Sequence, residues 1–208
     1  MRDTPRIIIH LLIINVIFFF GTQVSGTISK DFLALHYFQN DKFIISQLFT
    51  HLFMHGDQLH LFFNMFNLWM FGSTLASIWG TNKFLFFYIS SGLGAALFQM
   101  TATYFNIEPQ APMVGASGAI YGVLVAFAYT FPNSKLMLLF PPIPVKAKYL
   151  IPLIILGDFY FQFTSASIGE MVGANVRIAH FAHIGGAVTG FLMMWFWKNN
   201  QFNKNRWN

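Results

Sequence analysis

The chain has 208 residues, of which 55% are hydrophobic and only 9% charged, with 27 phenylalanines and a net charge of +5. Soluble domains carry roughly 25% charged residues, so the composition excludes an ordinary soluble protein and points to an integral membrane protein. Cysteine is absent, which removes disulfides, thiolate metal sites and a cysteine nucleophile.

A spanning helix needs about 20 mostly apolar residues. Six runs meet or approach that length: 7–24, 59–79, 84–105, 115–131, 149–165 and 179–197. The first follows Arg2 and Arg6, as a signal peptide would. No small-x-small cleavage site comes after it, so it reads as a retained helix. The fourth is short and opens at a glycine-rich turn. Residues 25–58 mix aromatics with Gln, His and Asp; they are too polar to span and too apolar for a plain loop, which places them at the interface. The expected fold is an all-α membrane protein, a six-transmembrane-helix bundle forming one domain over residues 1–208.

The charges sort by side. Arg2, Arg6, Lys83, Lys135, Lys146, Lys148, Lys198, Lys204 and Arg206 fall on one side, and Lys30, Lys42 and Arg177 on the other. Asp31, Asp41, Asp57, Glu108 and Glu170 join the second group. The positive-inside rule then puts both termini in the cytoplasm. The basic balance is a topology signal, and no nucleic-acid partner is expected.

Polar residues converge at one depth. "HLFFN" puts His60 and Asn64 near the outer end of the second span, and Ser117 lies in the first turn of the fourth. "AHFAHIGG" puts His180 and His183 in the first two turns of the sixth. The shared depth is about 5–8 Å below the outer helix ends at 1.5 Å per residue. Polar groups placed so usually face the bundle interior or a wet cavity.

Such a set has a chemistry. A serine hydroxyl is a poor nucleophile until a base takes its proton, and histidine does this near neutral pH. Attack on an amide carbonyl creates an oxyanion that needs preorganised donors. His60 and Asn64, spaced i, i+4, share a helix face. The first turn of a helix has N–H groups without intrahelical partners and the positive end of its dipole. In "GASGAIYG" the glycines around Ser117 permit close backbone approach.

Plainer readings stand beside this one. Ser117 with Gly115, Gly118 and Gly122 also makes a small-residue packing face, which the Gly186 and Gly190 face after His183 could meet. Asn64 and Asn67 suit cross-helix hydrogen bonds, His180 a supporting role, and His10, His51 and His55 interfacial or structural ones. His51/His55 and His180/His183 have spacings that zinc ligands use. No H-E-x-x-H occurs and no carboxylate flanks these histidines on a helix, so no metal site is expected. Asp158 falls midway along the fifth span, where an ionised carboxylate costs roughly 2.5–3.5 kcal/mol. That depth speaks against a third triad member.

Taken together, "HLFFN", "GASGAIYG" and "AHIGGAVTG", in this order and topology, resemble the rhomboid family of intramembrane serine proteases over essentially the whole chain. The resemblance implies Ser117 as nucleophile and His183 as general base, a dyad with no acidic third member. It implies His60, Asn64 and the Ser117 N–H as oxyanion donors, with Tyr121 packed on the catalytic imidazole and Gly115 shaping the site. It makes the first loop a membrane-embedded loop and the fifth helix a lateral substrate gate. Two departures stand out. "IISQLFTH" replaces the Trp-Arg pair common in the first loop, and "STLASIWG" lacks the acidic residue often found near the inner end of the second helix. Both bear on loop anchoring and stability more than on chemistry.

The expected function is hydrolysis of a peptide bond in or near a substrate transmembrane helix, through a Ser-His dyad and an acyl-enzyme. No cofactor is expected. The partners would be single-pass transmembrane substrates and the bilayer. The location would be a bacterial inner (plasma) membrane, with the active site toward the outer side. The alternative is a non-proteolytic membrane protein, a pseudoprotease-like substrate binder or a transporter, with Asp158 as its support.

Overall fold

The computed structural model describes residues 3–107, 110–138, 142–172 and 180–200. Arg2, Glu108, Arg177, Lys204 and Arg206 from the charge assignment lie outside them, as do the Glu170 side chain and the start of the sixth expected span at Ala179.

Helix α1 (Arg6–Ser25) starts behind Pro5 and stops at Gly26, whose φ of +58° a side chain would oppose. The first loop then forms two short helices, α2 (Thr27–Leu33) and α3 (Gln47–Thr50), the second running into a 3-10 turn at His51–Phe53. Asp57 caps α4 (Gln58–Asn67), accepting the His60 backbone N–H at 2.8 Å. A π-helical turn at Leu68–Gly72 carries α4 into α5 (Ser73–Trp79), giving one rod of 22 residues. Then come α6 (Thr81–Tyr104), α7 (Ser117–Thr130), α8 (Ala147–Val172) and α9 (His180–Asn199).

Among the described residues these make six helical rods of 14 to 26 residues. Among the described residues, Arg6–Ser25, Gln58–Trp79 and Thr81–Tyr104 are long and apolar enough to cross a membrane, and α7 is a shorter apolar helix. The all-α expectation needs one correction. Strands β1 (Lys135–Met137) and β2 (Pro144–Lys146) form an antiparallel hairpin between α7 and α8, with Leu136 opposite Val145.

Helices α6, α7 and α9 pack backbone to backbone. A Cβ on Gly186 of α9 would fall onto the Gly118 carbonyl oxygen of α7, and one on Gly190 would lie 2.7 Å from the Gly122 Cα. A Cβ on Gly118 would overlap Ala95 of α6. Lipid supplies no hydrophobic force between helices, so close contact of small residues does the holding. The packing reading of the glycine faces is therefore correct, and the same contact brings the N-terminal ends of α7 and α9 together.

The first loop is held differently. Gln47, fully buried within "IISQLFTH", accepts the N–H groups of His36 and Ile44 at 3.2 and 3.3 Å. Its amide donates to the carbonyls of Asp31 and Lys42 at 2.9 and 2.8 Å. One side chain thus closes four backbone groups where the Trp-Arg pair is missing. Leu35 and Met113 pair their backbones, tying the loop to the segment before α7. At the end of α5, Trp79 packs edge-on against Trp197, and the Lys83 ammonium lies 4.5 Å from the Trp197 ring centre. This cluster stands where the acidic residue is absent.

Candidate active site

Ser117 is the first residue of α7, and His183 lies one turn into α9. The Ser117 hydroxyl donates to His183 Nε2 at 2.8 Å. With Nε2 accepting, the imidazole proton sits on Nδ1, which donates to Asp158 Oδ2 at 2.7 Å. The other Asp158 oxygen accepts from His180 Nδ1 at 2.7 Å. The three side chains are 5–12% exposed: His180 5%, His183 11% and Asp158 12%. Asp158, set aside by depth, and His180, given a supporting role, thus join Ser117 and His183. The Tyr121 ring stacks on His183, with centres 4.3 Å apart and planes 10° apart, as expected.

The depth argument failed because α7 is short. Its 14 residues rise only about 21 Å, less than the roughly 30 Å hydrocarbon core. The β1–β2 hairpin joins the end of α7 to the start of α8, and the Ala147 N–H donates to the Ser134 carbonyl at 2.9 Å. From that shared end, Ser117 lies about 20 Å up α7 and Asp158 about 17 Å up α8. A mid-helix aspartate and a helix-start serine therefore meet at one level. The glycine-rich turn before a short apolar run was the sequence signal for this.

Around the serine, Gly115 has φ +123°, which favours glycine, and its N–H donates to the His51 carbonyl at 2.9 Å. A Cβ there would come within 2.9 Å of His60 Nε2. So the turn needs glycine for conformation and for space, and it brings the His60 ring and the Ser117 hydroxyl to the same place. The Gly56 N–H approaches His60 Nδ1 at 3.5 Å, which favours a proton on Nε2, facing Gly115. Asn64 is buried, and its amide donates to the His60 carbonyl at 2.7 Å, leaving one N–H for another partner. The Ser117 N–H, at the helix start, has no intrahelical acceptor. Asn67 donates to Phe63 in its own helix rather than across helices.

His51 and His55 do not join the site as a metal pair. His51 Nδ1 donates to the Gln47 carbonyl at 2.7 Å, and the His55 ring stands edge-on to His60 with centres 5.1 Å apart. Burial pushes both imidazoles down to about 4, so both are neutral at pH 7. His10 is exposed on α1. Among the described residues, one group of three ligating side chains has metal-like spacing: Asp158, His180 and His183, with ligand atoms within 4.8 Å of one another. A carboxylate does therefore flank the α9 histidines, supplied by α8. A divalent cation held there would displace both histidine-to-aspartate hydrogen bonds and move the His183 ring proton to Nε2, the atom that faces Ser117.

Comparison with known proteins agrees with this architecture. The Rhomboid domain model matches residues 42–200. Rhomboid protein 1, mitochondrial, of Saccharomyces cerevisiae is 32% identical over 148 residues, covering 69% of this chain and 39% of its own length. Presenilin-associated rhomboid-like protein, mitochondrial, of Homo sapiens is 27% identical over 210 residues, covering 97% of this chain and 52% of its own. Rhomboid protease GluP of Bacillus subtilis is 25% identical, covering 90% of this chain and 34% of its own. The chain thus spans between a third and about half the length of these relatives. The bacterial plasma-membrane location is overturned here, because the yeast and human relatives are mitochondrial proteins. Charge sorting reports sidedness, and it carries no information about which membrane is crossed. With the family model covering most of its length and three described helices long and apolar enough to cross a membrane, the chain is a membrane protein that belongs to the rhomboid family.

Proposed function

We propose that the chain is an intramembrane serine protease that cleaves a peptide bond in or near a substrate transmembrane helix. The observation that carries this reading is the 2.8 Å hydrogen bond from the Ser117 hydroxyl to His183 Nε2. In the reaction, His183 Nε2 takes the hydroxyl proton as Ser117 Oγ bonds to the scissile carbonyl carbon. The carbonyl oxygen becomes an oxyanion facing the Ser117 N–H, the His60 Nε2–H and the free Asn64 N–H. The C–N bond breaks as His183 gives its proton to the leaving amine. Water then attacks the acyl-enzyme as His183 takes its proton, and His183 returns that proton to Oγ as the C–Oγ bond breaks, releasing the acid and restoring both Ser117 and the neutral base.

The bundle would cross the membrane six times with both termini on one side and the site opening toward the other. By likeness to the yeast and human relatives, that membrane is mitochondrial; the substrates are the single-pass transmembrane proteins that the family resemblance implies. Asp158, the residue behind the transport alternative, instead has both oxygens turned to histidines beside Ser117, which favours the protease reading.

The test is labelling of detergent-solubilised protein with a fluorophosphonate. Wild type is expected to label, and Ser117→Ala and His183→Ala to stay blank. A folded wild type that does not label, or a His183→Ala variant that labels as fast, overturns the proposal.

A further inference from the structure

We infer that Asp158 is a positioning residue for the base, and that Ser117, His183, Asp158 and His180 act as one hydrogen-bonded chain rather than as an isolated pair. The inference rests on the protease reading above and adds a charge to it.

The geometry leaves little choice of tautomer. His183 Nε2 can accept from Ser117 only while Nδ1 carries the proton, and Asp158 Oδ2, 2.7 Å away, is the acceptor that keeps it there. Both contacts to Asp158 have the length of charge-assisted hydrogen bonds. His180 has a distinct task. A carboxylate reaching from another helix can rotate about its own χ angles, and a second N–H on Oδ1 fixes its plane. Thus α9 holds the base, and through His180 it also orients the group that orients the base.

The placement is costly if it serves packing alone. Gly157, beside Asp158, has open space where a Cβ would go, and Leu153, Leu156 and Tyr160 of the same helix are exposed. A leucine at 158 could rest on α9 without desolvating a charge. A carboxylate there does what leucine cannot. As Ser117 attacks, His183 becomes an imidazolium, and the Asp158 charge lies against it at that moment. An interaction stronger in the transition state than in the ground state raises kcat. Tyr121 flanks the same imidazole and interacts with the same carboxylate.

The experiment combines kinetics with proton NMR on full-length, 15N-histidine-labelled protein in micelles. Wild type and Ser117→Ala are expected to show two strongly downfield imidazole N–H protons, from His180 and His183. Asp158→Asn and Asp158→Ala are expected to lose them. For cleavage of a transmembrane substrate, kcat should fall about 10²- to 10⁴-fold in Asp158→Ala, with KM within about threefold. His180→Ala should fall less, and keep one downfield proton. A helix tie without a role in the base would move KM and melting temperature and spare kcat.

The inference is overturned if a folded Asp158→Asn or Asp158→Ala keeps wild-type kcat. It is equally overturned if wild type labels at Ser117 yet shows no downfield imidazole proton, a result that stands even where the variants do not fold. Failure of wild type to label at all falls on the protease reading instead, and the two failures are therefore separable.

Discussion

Two regions of this molecule hold the same serine by opposite means. The α6–α7–α9 core is held by shape, with glycines so close that a single methyl group would strike opposing backbone. The first loop is held by buried polar groups, with Gln47 closing four backbone partners and the His51 carbonyl receiving the Gly115 N–H beside Ser117. In lipid, apolar contact carries no hydrophobic driving force, so a helix core must use fit. A loop without helical hydrogen bonds must instead satisfy its backbone with side chains. The two regions should therefore fail under different insults.

The largest expected effect tests the core. Gly186→Ala sets a methyl on the Gly118 carbonyl oxygen, which belongs to backbone and cannot swing aside. Overpacking of ordinary cores costs about 1–3 kcal/mol, occasionally more, and here two helices must part. The protein should lose its cooperative thermal transition in detergent and its serine labelling. The control is Gly157→Ala on α8, where a Cβ meets nothing within 4 Å. It should melt at or above the wild-type temperature, since alanine is favoured over glycine in a helix by up to about 1 kcal/mol. Equal melting of the two variants would break the contrast.

The loop should yield to acid. His51 and His55 are held at about 4 in the folded protein, against an ordinary 6.5. Between those values the unfolded chain binds more protons, so stability is complete above about pH 6.5 and falls as pH drops toward 4. The full difference is about 3 kcal/mol for each histidine. Melting at pH 5 should come below melting at pH 7.5, and His51→Gln should narrow the gap. An unchanged gap in that variant would show that His51 is not what acid attacks.

The same division explains what was legible in the sequence. Small residues at helical spacing advertise a packing face, and the Gly118/Gly122 match to Gly186/Gly190 was readable. So was the meeting of the Ser117, His183 and Tyr121 side chains. Gln47 was not, because four hydrogen bonds from one glutamine leave no periodic trace, and "IISQLFTH" read only as a missing Trp-Arg pair. Helix α8 was expected at 149–165 and runs Ala147–Val172, since hydropathy finds the apolar part of a helix and not its ends. Asp158 was judged by depth on the assumption that every span starts at the surface. Only the length of α7 places it level with Ser117.

The smallest effect falls where both regions meet the chemistry. Tyr121 belongs to the shape-held core, and its ring stacks on His183 while its phenol interacts with Asp158. Tyr121→Phe keeps the ring and removes one polar contact, a change of about 0.5–1.5 kcal/mol. Labelling of Ser117 should slow about threefold. Tyr121→Leu also removes the stack, worth a further 0.5–1.5 kcal/mol or so, and labelling should slow about tenfold or more. Both variants should melt near wild type, because the glycine contacts are untouched. A Leu variant no slower than the Phe variant would mean that the ring face gives the imidazole no support and that the hydroxyl alone matters. His183 would then be oriented from the carboxylate side only, by Asp158, and the core would contribute position without contributing orientation.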